Sequence, residues 1–316
     1  MDETLWAGRV VVGVDGSPES RLAADWAAVE ATARGRGLTV VHAVLPPVGS
    51  SSFGPSMPVG LNVMAEIRDG ALAELDAIAA SLSAPDIRTH VEVGSPSGTL
   101  IGASEISSMV VVGSRGQGGF KGLILGSVST QVATHAVSPA IVVRALPDPG
   151  ADTVVVGIDG NPGSNAAIDF AFEMASRHGW RLVAVHAWEA PAYDVLVVPS
   201  TTGAIPLDDL SAEEARLSAE TLAGFTADYP DVVVEEFIVH GSARSAIIEA
   251  SARAALVVVG TRGHGQVVGA VIGSVSHGVL HHARVPVAVI SGRRTARVTP
   301  RRPPSPRQHR APGSTR

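Results

Sequence analysis

The feature that most constrains this sequence is an internal repeat. The segment RVVVGVDG at 9–16 returns as TVVVGIDG at 153–160, and VVVGSRG at 110–116 returns as VVVGTRG at 257–263. Both ends of the first half therefore have a counterpart in the second half. The 316 residues predict two domains of similar size, each long enough to bury its own core.

Short Val/Ile-rich runs alternate with longer Ala-rich stretches in each half, a pattern typical of βαβ units and a parallel sheet. Runs such as 10–12 and 110–112 have no polar alternation, as expected for strands covered on both faces. The predicted fold class is α/β, with a doubly wound parallel sheet of five strands and four helices in each half. The first-half strands are predicted near 9–15, 38–45, 86–93, 109–113 and 139–145, and the helices near 18–35, 61–82, 96–107 and 127–137. The second-half strands are predicted near 153–159, 181–188, 232–240, 256–260 and 286–291.

Proline and glycine mark the boundaries between segments. Pro147 to Gly150 predicts a linker, which places the first domain at residues 1–147 and the second at 148–292. The stretches 46–58 and 189–206 predict loops after the second strand of each half. Residues 293–316 contain eight Arg, many prolines and no acidic residue, so we expect a disordered basic tail.

Charge and hydropathy exclude several classes of protein. The net charge is −6, but without the eight tail arginines only 16 basic residues face 30 acidic ones, which disfavours nucleic-acid binding by the folded part. The apolar runs are strand-length and too short for a membrane span, so we expect no membrane association. The N-terminal residues lack the pattern of a secretory signal, which makes a cytoplasmic location the expectation. The absence of cysteine excludes disulfides and thiolate metal sites.

A glycine-rich loop follows the fourth predicted strand of each half. Gly113, Gly116 and Gly126-Ser127 form G-x2-G-x9-G-S, and Gly260, Gly263 and Gly273-Ser274 repeat this spacing. Glycine permits sharp turns and a close approach of the backbone to a ligand. The free amides and dipole of a helix start favour an anion, with serine hydroxyls as further donors. The loops therefore predict phosphate sites, although an inherited loop without a ligand in one half remains the alternative.

An aspartate follows the first strand of each half, at Asp15 and Asp159. Both lie beside the predicted switch point between the first and fourth strands, where α/β sheets bind ligands. This position favours a ligand role, such as accepting hydrogen bonds from a ribose or base. The alternative is a helix N-cap or turn aspartate.

Other polar residues are interpreted as structural. His42 and His186 recur at matching positions without a nearby nucleophile, so we expect local packing or hydrogen bonds. His277, His281 and His282 lack a carboxylate partner motif, so no metal site is predicted. Lys121, the only lysine, is replaced by Val268 in the second half, and no Walker G-K-[ST] sequence exists.

The repeated segments VVVGVDGS and GSRGQGGFKGLILGSVS, with VVVGIDG and GTRGHGQVVGAVIGSVS in the second half, resemble those of tandem universal stress proteins of the actinobacterial type. The resemblance covers both halves and leaves out only the basic tail. It implies a Rossmann-like fold of strand order 3-2-1-4-5, similar to the adenine nucleotide alpha hydrolase-like folds, ATP as the ligand and a role in stress or dormancy. The complete glycine motif resembles that of the ATP-binding branch, and magnesium would accompany ATP.

The resemblance also implies the residues that contact the nucleotide. In the first half these are Gly13, Val14, Asp15, Ala43, Val112, Gly113, Arg115, Gly116, Gly126, Ser127, Val128 and Ser129. In the second half they are Gly157, Ile158, Asp159, Ala187, Val259, Gly260, Arg262, Gly263, Gly273, Ser274, Val275 and Ser276.

The last strand of each half, near 140–144 and 286–290, is an edge in the implied strand order. Because unpaired edges promote association, we expect the two halves to pair through these strands as an internal pseudo-dimer, and a homodimer remains a further possibility.

The leading functional hypothesis is a nucleotide-binding regulator. No general base, Walker-type Asp or arginine finger can be assigned, so a slow ATPase or autokinase is the second hypothesis, and a dimeric scaffold with vestigial pockets is the third.

Overall fold

The computed structural model describes residues 3–45, 61–118, 124–189, 207–261 and 272–292. The predicted loop at 46–58, the predicted loop at 189–206 apart from Glu189, and the predicted tail at 293–316 lie outside these residues. The first half contains β1 (Val10–Gly13), α1 (Pro18–Arg34), β2 (Leu38–Val44), α2 (Leu61–Ser81), β3 (Ile87–Val93), α3 (Pro96–Ala103), β4 (Met109–Gly113), α4 (Ser127–His135) and β5 (Ala140–Val143). The second half contains β6 (Thr153–Ile158), α5 (Asn165–His178), β7 (Arg181–Trp188), α6 (Leu207–Asp228), β8 (Val234–His240), α7 (Ala243–Ala250), β9 (Leu256–Gly260), α8 (Ser274–His282) and β10 (Val287–Ile290).

The strands of each half form a parallel sheet of order 3-2-1-4-5, as the resemblance implied. The central strands are covered on both faces: Val10, Val11 and Val12 of β1 are fully buried, which explains their unbroken run of valines. Alternate residues enter two cores, with Val10 and Val12 in one and Val11 in the other. Helices α1, α2, α5 and α6 contribute to the first core, and α3, α4, α7 and α8 to the second.

The two halves join into one ten-stranded sheet through their last strands. Strand β5 pairs antiparallel with β10, with Ile141 opposite Ala288 and Val142 opposite Val287. The predicted internal pairing of the two halves is therefore confirmed in the structure, with the sheet order β3-β2-β1-β4-β5-β10-β9-β6-β7-β8.

Helices α1 and α5 meet across the junction through a buried charged network. Glu30 is 2% exposed and pairs with Arg34 on its own helix and with His178 of the other half, whose Nε2 lies 2.9 Å from Glu30 Oε2. Arg34 Nη1 also donates to Glu173 Oε1 at 2.7 Å. Burial alone lowers the pKa of Arg34, but the charges of Glu30 and Glu173 outweigh it and raise the pKa. The network therefore connects the halves on one face of the sheet.

The predicted ends of the strands and helices agree with the structure within about two residues, except at α3. This helix was predicted to reach residue 107 but ends at Ala103. Ser104 Oγ donates to the carbonyl of Ile101, and Ser108 Oγ to the carbonyl of Arg9. Serine side chains that bond to the backbone compete with helix continuation, which explains the early end.

Candidate functional site

A cavity of about 470 Å³ lies at the carboxyl ends of β1, β2 and β4. Its volume falls within the range of roughly 300–1,000 Å³ found for small-molecule sites. The structure brings all the first-half residues predicted to contact a nucleotide to its wall: Gly13, Val14, Asp15, Ala43, Val112, Gly113, Arg115, Gly116, Gly126, Ser127, Val128 and Ser129. The cavity therefore lies at the strand switch point.

Further lining residues were missed by sequence analysis, namely Ser20, Val41, Pro96, Thr99, Leu100 and Gly118. The signal for Val41 was available, because it lies two residues before Ala43 and thus on the same face of β2. Helix α3 follows β3 at the same sheet edge, so its first turn could also have been assigned to the wall. Its residues Pro96, Thr99 and Leu100 have the spacing of one helix face.

The start of α4 forms the glycine-rich end of the cavity. Gly126 is the N-cap, and no side chain of the described residues caps this helix. The Gly126 amide donates to the Ser114 carbonyl at 2.8 Å, which sets the direction from which the chain enters the helix. The amides of the first turn are thus left to a ligand or water. Ser129 is not a free donor, because its hydroxyl donates to the Ser114 and Gly126 carbonyls at 3.0 and 2.9 Å.

Asp15 lines the cavity and also holds two loops together. Its carboxylate accepts hydrogen bonds from the Ser17 hydroxyl at 2.6 Å, the Ser17 amide at 3.1 Å and the Gln117 amide at 2.9 Å. Burial alone raises the pKa of Asp15, but these bonds, with Ser20, outweigh it and lower the pKa. Asp15 therefore has the role of a turn aspartate, which was the alternative to a ligand role.

Two glycines of the motif are required by packing against neighbouring protein atoms. A Cβ on Gly113 would lie 2.7 Å from the backbone carbon of Glu19 at the start of α1. A Cβ on Gly116 would lie 2.1 Å from Asp15 Oδ2. The sequence predicts that these glycines allow the approach of phosphate, whereas in the structure their missing side chains leave room for α1 and for the Asp15 carboxylate.

Arg115 lies at the rim of the cavity and is paired with an acid. Its Nη2 and Nε donate to Glu19 Oε1 at 2.6 and 3.1 Å. The Arg115 side chain is 49% exposed. Such an exposed pair is weak, so the guanidinium can exchange partners at low cost.

The second half repeats part of this geometry. Asp159 accepts a hydrogen bond from the Asn161 amide at 3.1 Å, as Asp15 does from Ser17. The Gly273 amide donates to the Thr261 carbonyl at 2.8 Å, the counterpart of the bond from Gly126 to Ser114. The other described candidates lie at the ends of β6, β7 and β9 and on α8, namely Gly157, Ile158, Ala187, Val259, Gly260, Ser274, Val275 and Ser276. Arg262 and Gly263 lie outside the described residues.

The repeated histidines make local hydrogen bonds, as expected. His42 Nδ1 lies 2.7 Å from the Val14 carbonyl oxygen, and His186 Nδ1 lies 3.3 Å from that of Ile158. His186 Nε2 has a further partner in Glu214 Oε2 at 2.7 Å. These histidines therefore fix the strand ends that precede Asp15 and Asp159.

The three histidines of α8 lie close together at the domain junction. The rings of His277 and His281 are 4.3 Å apart. Burial lowers the pKa of His281, and the neighbouring charges of His277, Arg144 and His282 lower it further. Among the described residues there is no cluster of three or more His, Cys, Asp or Glu side chains that could hold a metal ion. Within the same residues, no helix is both long and apolar enough to span a bilayer.

The fold and the cavity define the class of protein: a tandem repeat of a doubly wound, Rossmann-like α/β domain with a ligand-sized cavity at the strand switch point. The sequence profile described as "Universal stress protein family" matches residues 7–144 and 150–291. The chain therefore belongs to the universal stress protein family, with two such domains in tandem.

Similar proteins have the same tandem organisation. A universal stress protein of Mycobacterium tuberculosis (strain ATCC 25618 / H37Rv) is 40% identical over 298 residues, which cover 89% of this chain and 96% of the relative. One of Mycolicibacterium smegmatis is 36% identical over 292 residues, covering 90% and 97%. The crystal structure of a universal stress protein from Archaeoglobus fulgidus DSM 4304 has a TM-score of 0.60 at 22% identity and covers 90% of this chain and 98% of its own.

Proposed function

We propose that this protein binds ATP in its first half and acts as a nucleotide-dependent regulator in a stress or dormancy response. The observation that carries the proposal is the cavity of about 470 Å³ between the end of β1 and the start of α4. The regulatory role rests on membership of the universal stress protein family.

The two ends of the cavity suit the two ends of a nucleotide. Val14, Val41, Ala43 and Leu100 give one part of the wall an apolar surface on which a flat base can pack. Gly116, Gly118, Gly126 and Ser127 surround the other part, where the uncapped start of α4 favours an anion. Arg115 supplies a cation beside the glycines. The cavity can therefore bind the flat base and the phosphate chain of one nucleotide at the same time.

A binding role is better supported than an enzymatic one. Among the described lining residues only Asp15 carries a carboxylate, and that carboxylate accepts three hydrogen bonds from Ser17 and Gln117. An acid held in this way is a poor general base, because hydrogen bonds to its charged form lower its proton affinity. Among the described lining residues, Asp15 is also the one whose carboxylate could hold a magnesium ion bound to ATP.

The test is a stoichiometry measurement on the purified full chain. We expect calorimetry to give saturable binding of ATP, with weaker binding of adenosine because adenosine lacks the phosphates. One equivalent of ATP that is lost in Gly116→Val would indicate that the first half alone binds, and two equivalents would extend the proposal to the second half. Absence of binding for ATP, ADP and AMP would refute the nucleotide role, and hydrolysis well above the buffer rate would favour the enzyme.

A further inference from the structure

Arg144 links the glycine-rich loop of the first half to a helix of the second half. It directly follows β5, and its Nη1 donates to the carbonyls of His281 and Ala283 at 2.8 and 3.4 Å. Its Nη2 donates to the carbonyls of Leu280 and Ile124 at 3.0 and 3.2 Å. Three of these acceptors belong to the end of α8, and the fourth lies two residues before the N-cap of α4. One guanidinium therefore holds both segments.

The acceptors explain why the arginine lies there. The last carbonyls of a helix have no partner within the helix and carry partial negative charge. Arg144 satisfies them from the other domain, and the four hydrogen bonds of its guanidinium go to backbone carbonyls. Burial lowers the pKa of Arg144, and the nearby charge of Arg115 lowers it further. The four hydrogen bonds hold the guanidinium in one geometry, with its donors shared between α8 and the first-half loop.

Ile124 is well placed to transmit that geometry to the cavity. Leu125, the next residue, is 6% exposed, and Gly126 follows with its amide bonded to the Ser114 carbonyl. The Ile124 carbonyl therefore lies two residues from the N-cap of α4, beside the contacts that fix the start of this helix.

At the position equivalent to Arg144, the second half has a serine. The Ser114 amide donates to the Val143 carbonyl, and the Thr261 amide donates to that of Ile290, so Val143 corresponds to Ile290 and Arg144 to Ser291. A serine hydroxyl is one donor on a short side chain and cannot form a fork to four carbonyls. Ser291 therefore cannot make the contact that Arg144 makes with the first-half loop.

We propose that Arg144 is a positioning residue for the phosphate end of the first-half cavity, which it fixes by holding Ile124 against α8 of the second half. The first site is then completed across the domain junction. This inference rests on the proposed ATP binding for its affinity measurement but not for its structural measurement.

The test compares Arg144→Met with the parent in the full chain. Loss of the fork should weaken ATP binding roughly tenfold, the loss expected from removing one charge-assisted hydrogen bond from the loop. Adenosine binding should be unchanged, because the base end of the cavity does not involve this loop. Without nucleotide, hydrogen exchange at the Gly126 amide should be faster in the variant.

Two further variants separate positioning from charge and from a general loosening of the junction. Arg144→Lys keeps the charge but lacks the planar fork, so ATP affinity should stay well below that of the parent. Arg177→Met removes another junction arginine, whose Nη1 donates to the Ala33 carbonyl at 3.4 Å, and should leave both measurements unchanged.

Several outcomes would overturn the inference: unchanged Gly126 exchange in Arg144→Met, full ATP affinity in Arg144→Lys, or equal losses for ATP and adenosine. If the parent binds no nucleotide, the proposed function fails, and the Gly126 exchange still decides whether Arg144 positions the loop.

Discussion

At Gly116, the space that a side chain would need is occupied by the Asp15 carboxylate. We expect Gly116→Val to displace Asp15, whose Oδ2 lies 2.1 Å from the position of the added Cβ, and to move the Gln117 amide bonded to it. Calorimetry should show ATP affinity reduced roughly tenfold or more, a change of about 1.4 kcal/mol, with the fold intact by circular dichroism. The sequence makes the same prediction for Gly263, outside the described residues.

Gly94→Val is the matched control for this substitution. Gly94 follows β3, and a Cβ there would meet no atom within 4 Å. This variant should bind ATP like the parent. Equal ATP affinity in Gly116→Val and the parent would contradict the role assigned to the glycine.

The lowered pKa of Asp15 predicts a pH dependence of stability. Because its folded pKa lies below the ordinary value of 3.8, its stabilising effect is complete above that value and is lost as the pH falls through the folded pKa. The difference in urea unfolding between the parent and Asp15→Asn should therefore be constant at neutral and mildly acidic pH and should begin to shrink only below about pH 4. A difference that stays constant through this acid range would show that the charge of Asp15 does not stabilise the fold.

At the residue scale, the sequence predicted where the site residues lie better than what they contact. The spacing of Gly113, Gly116 and Gly126 was enough to predict that they line one cavity, since strand ends and helix starts follow from the local sequence pattern. It could not show that Gly116 faces Asp15, because that contact depends on how two loops about 100 residues apart pack together. Whether these residues bind ATP stays a prediction.

At the element scale, the contact between α1 and α5 depends on Glu30. Glu30→Ala should lower the free energy of unfolding by about 3 kcal/mol, because it leaves Arg34 and His178 without one buried partner. The loss falls near the lower end of the usual range because Arg34 keeps Glu173. Denaturant unfolding measures it.

The control is a pair on the surface of α6. Glu213 and Arg216 are both about 63% exposed and form an i,i+3 ion pair. Glu213→Ala should change the unfolding free energy by less than about 1 kcal/mol. If both variants lost the same stability, the junction network would be no stronger than an ordinary surface pair.

The elements themselves were largely predictable, because Val-rich runs and Ala-rich stretches follow the periods of buried strands and helices. The predicted end of α3 was wrong because the side chains of Ser104 and Ser108 donate hydrogen bonds to backbone carbonyls. The hydrophobic pattern does not predict such bonds. The fork of Arg144 was missed for a different reason. It requires the antiparallel register of β5 and β10, and no local pattern encodes that register.

At the scale of the whole molecule, each half covers the edge strand of the other. An isolated first half, residues 1–147, would expose β5, whose four residues are all buried in the full chain. We expect this fragment to self-associate at micromolar concentration, because an uncovered apolar edge pairs with another copy. Light scattering measures the association, and a strictly monomeric half would contradict the edge pairing.

The isolated second half, residues 148–292, provides the control. Mixed with the first half, it should reduce this self-association, because β10 then covers β5 as it does in the full chain.

The antiparallel junction also decides the direction in which each half presents its site. The candidate residues lie at the carboxyl ends of strands in both halves, but the two sets of strands run in opposite directions across the shared sheet. The candidate sites of the two halves therefore lie at opposite edges of the shared sheet. We infer that a macromolecule bound at one edge would contact the ligand of that half alone, and that a second could bind at the other edge at the same time.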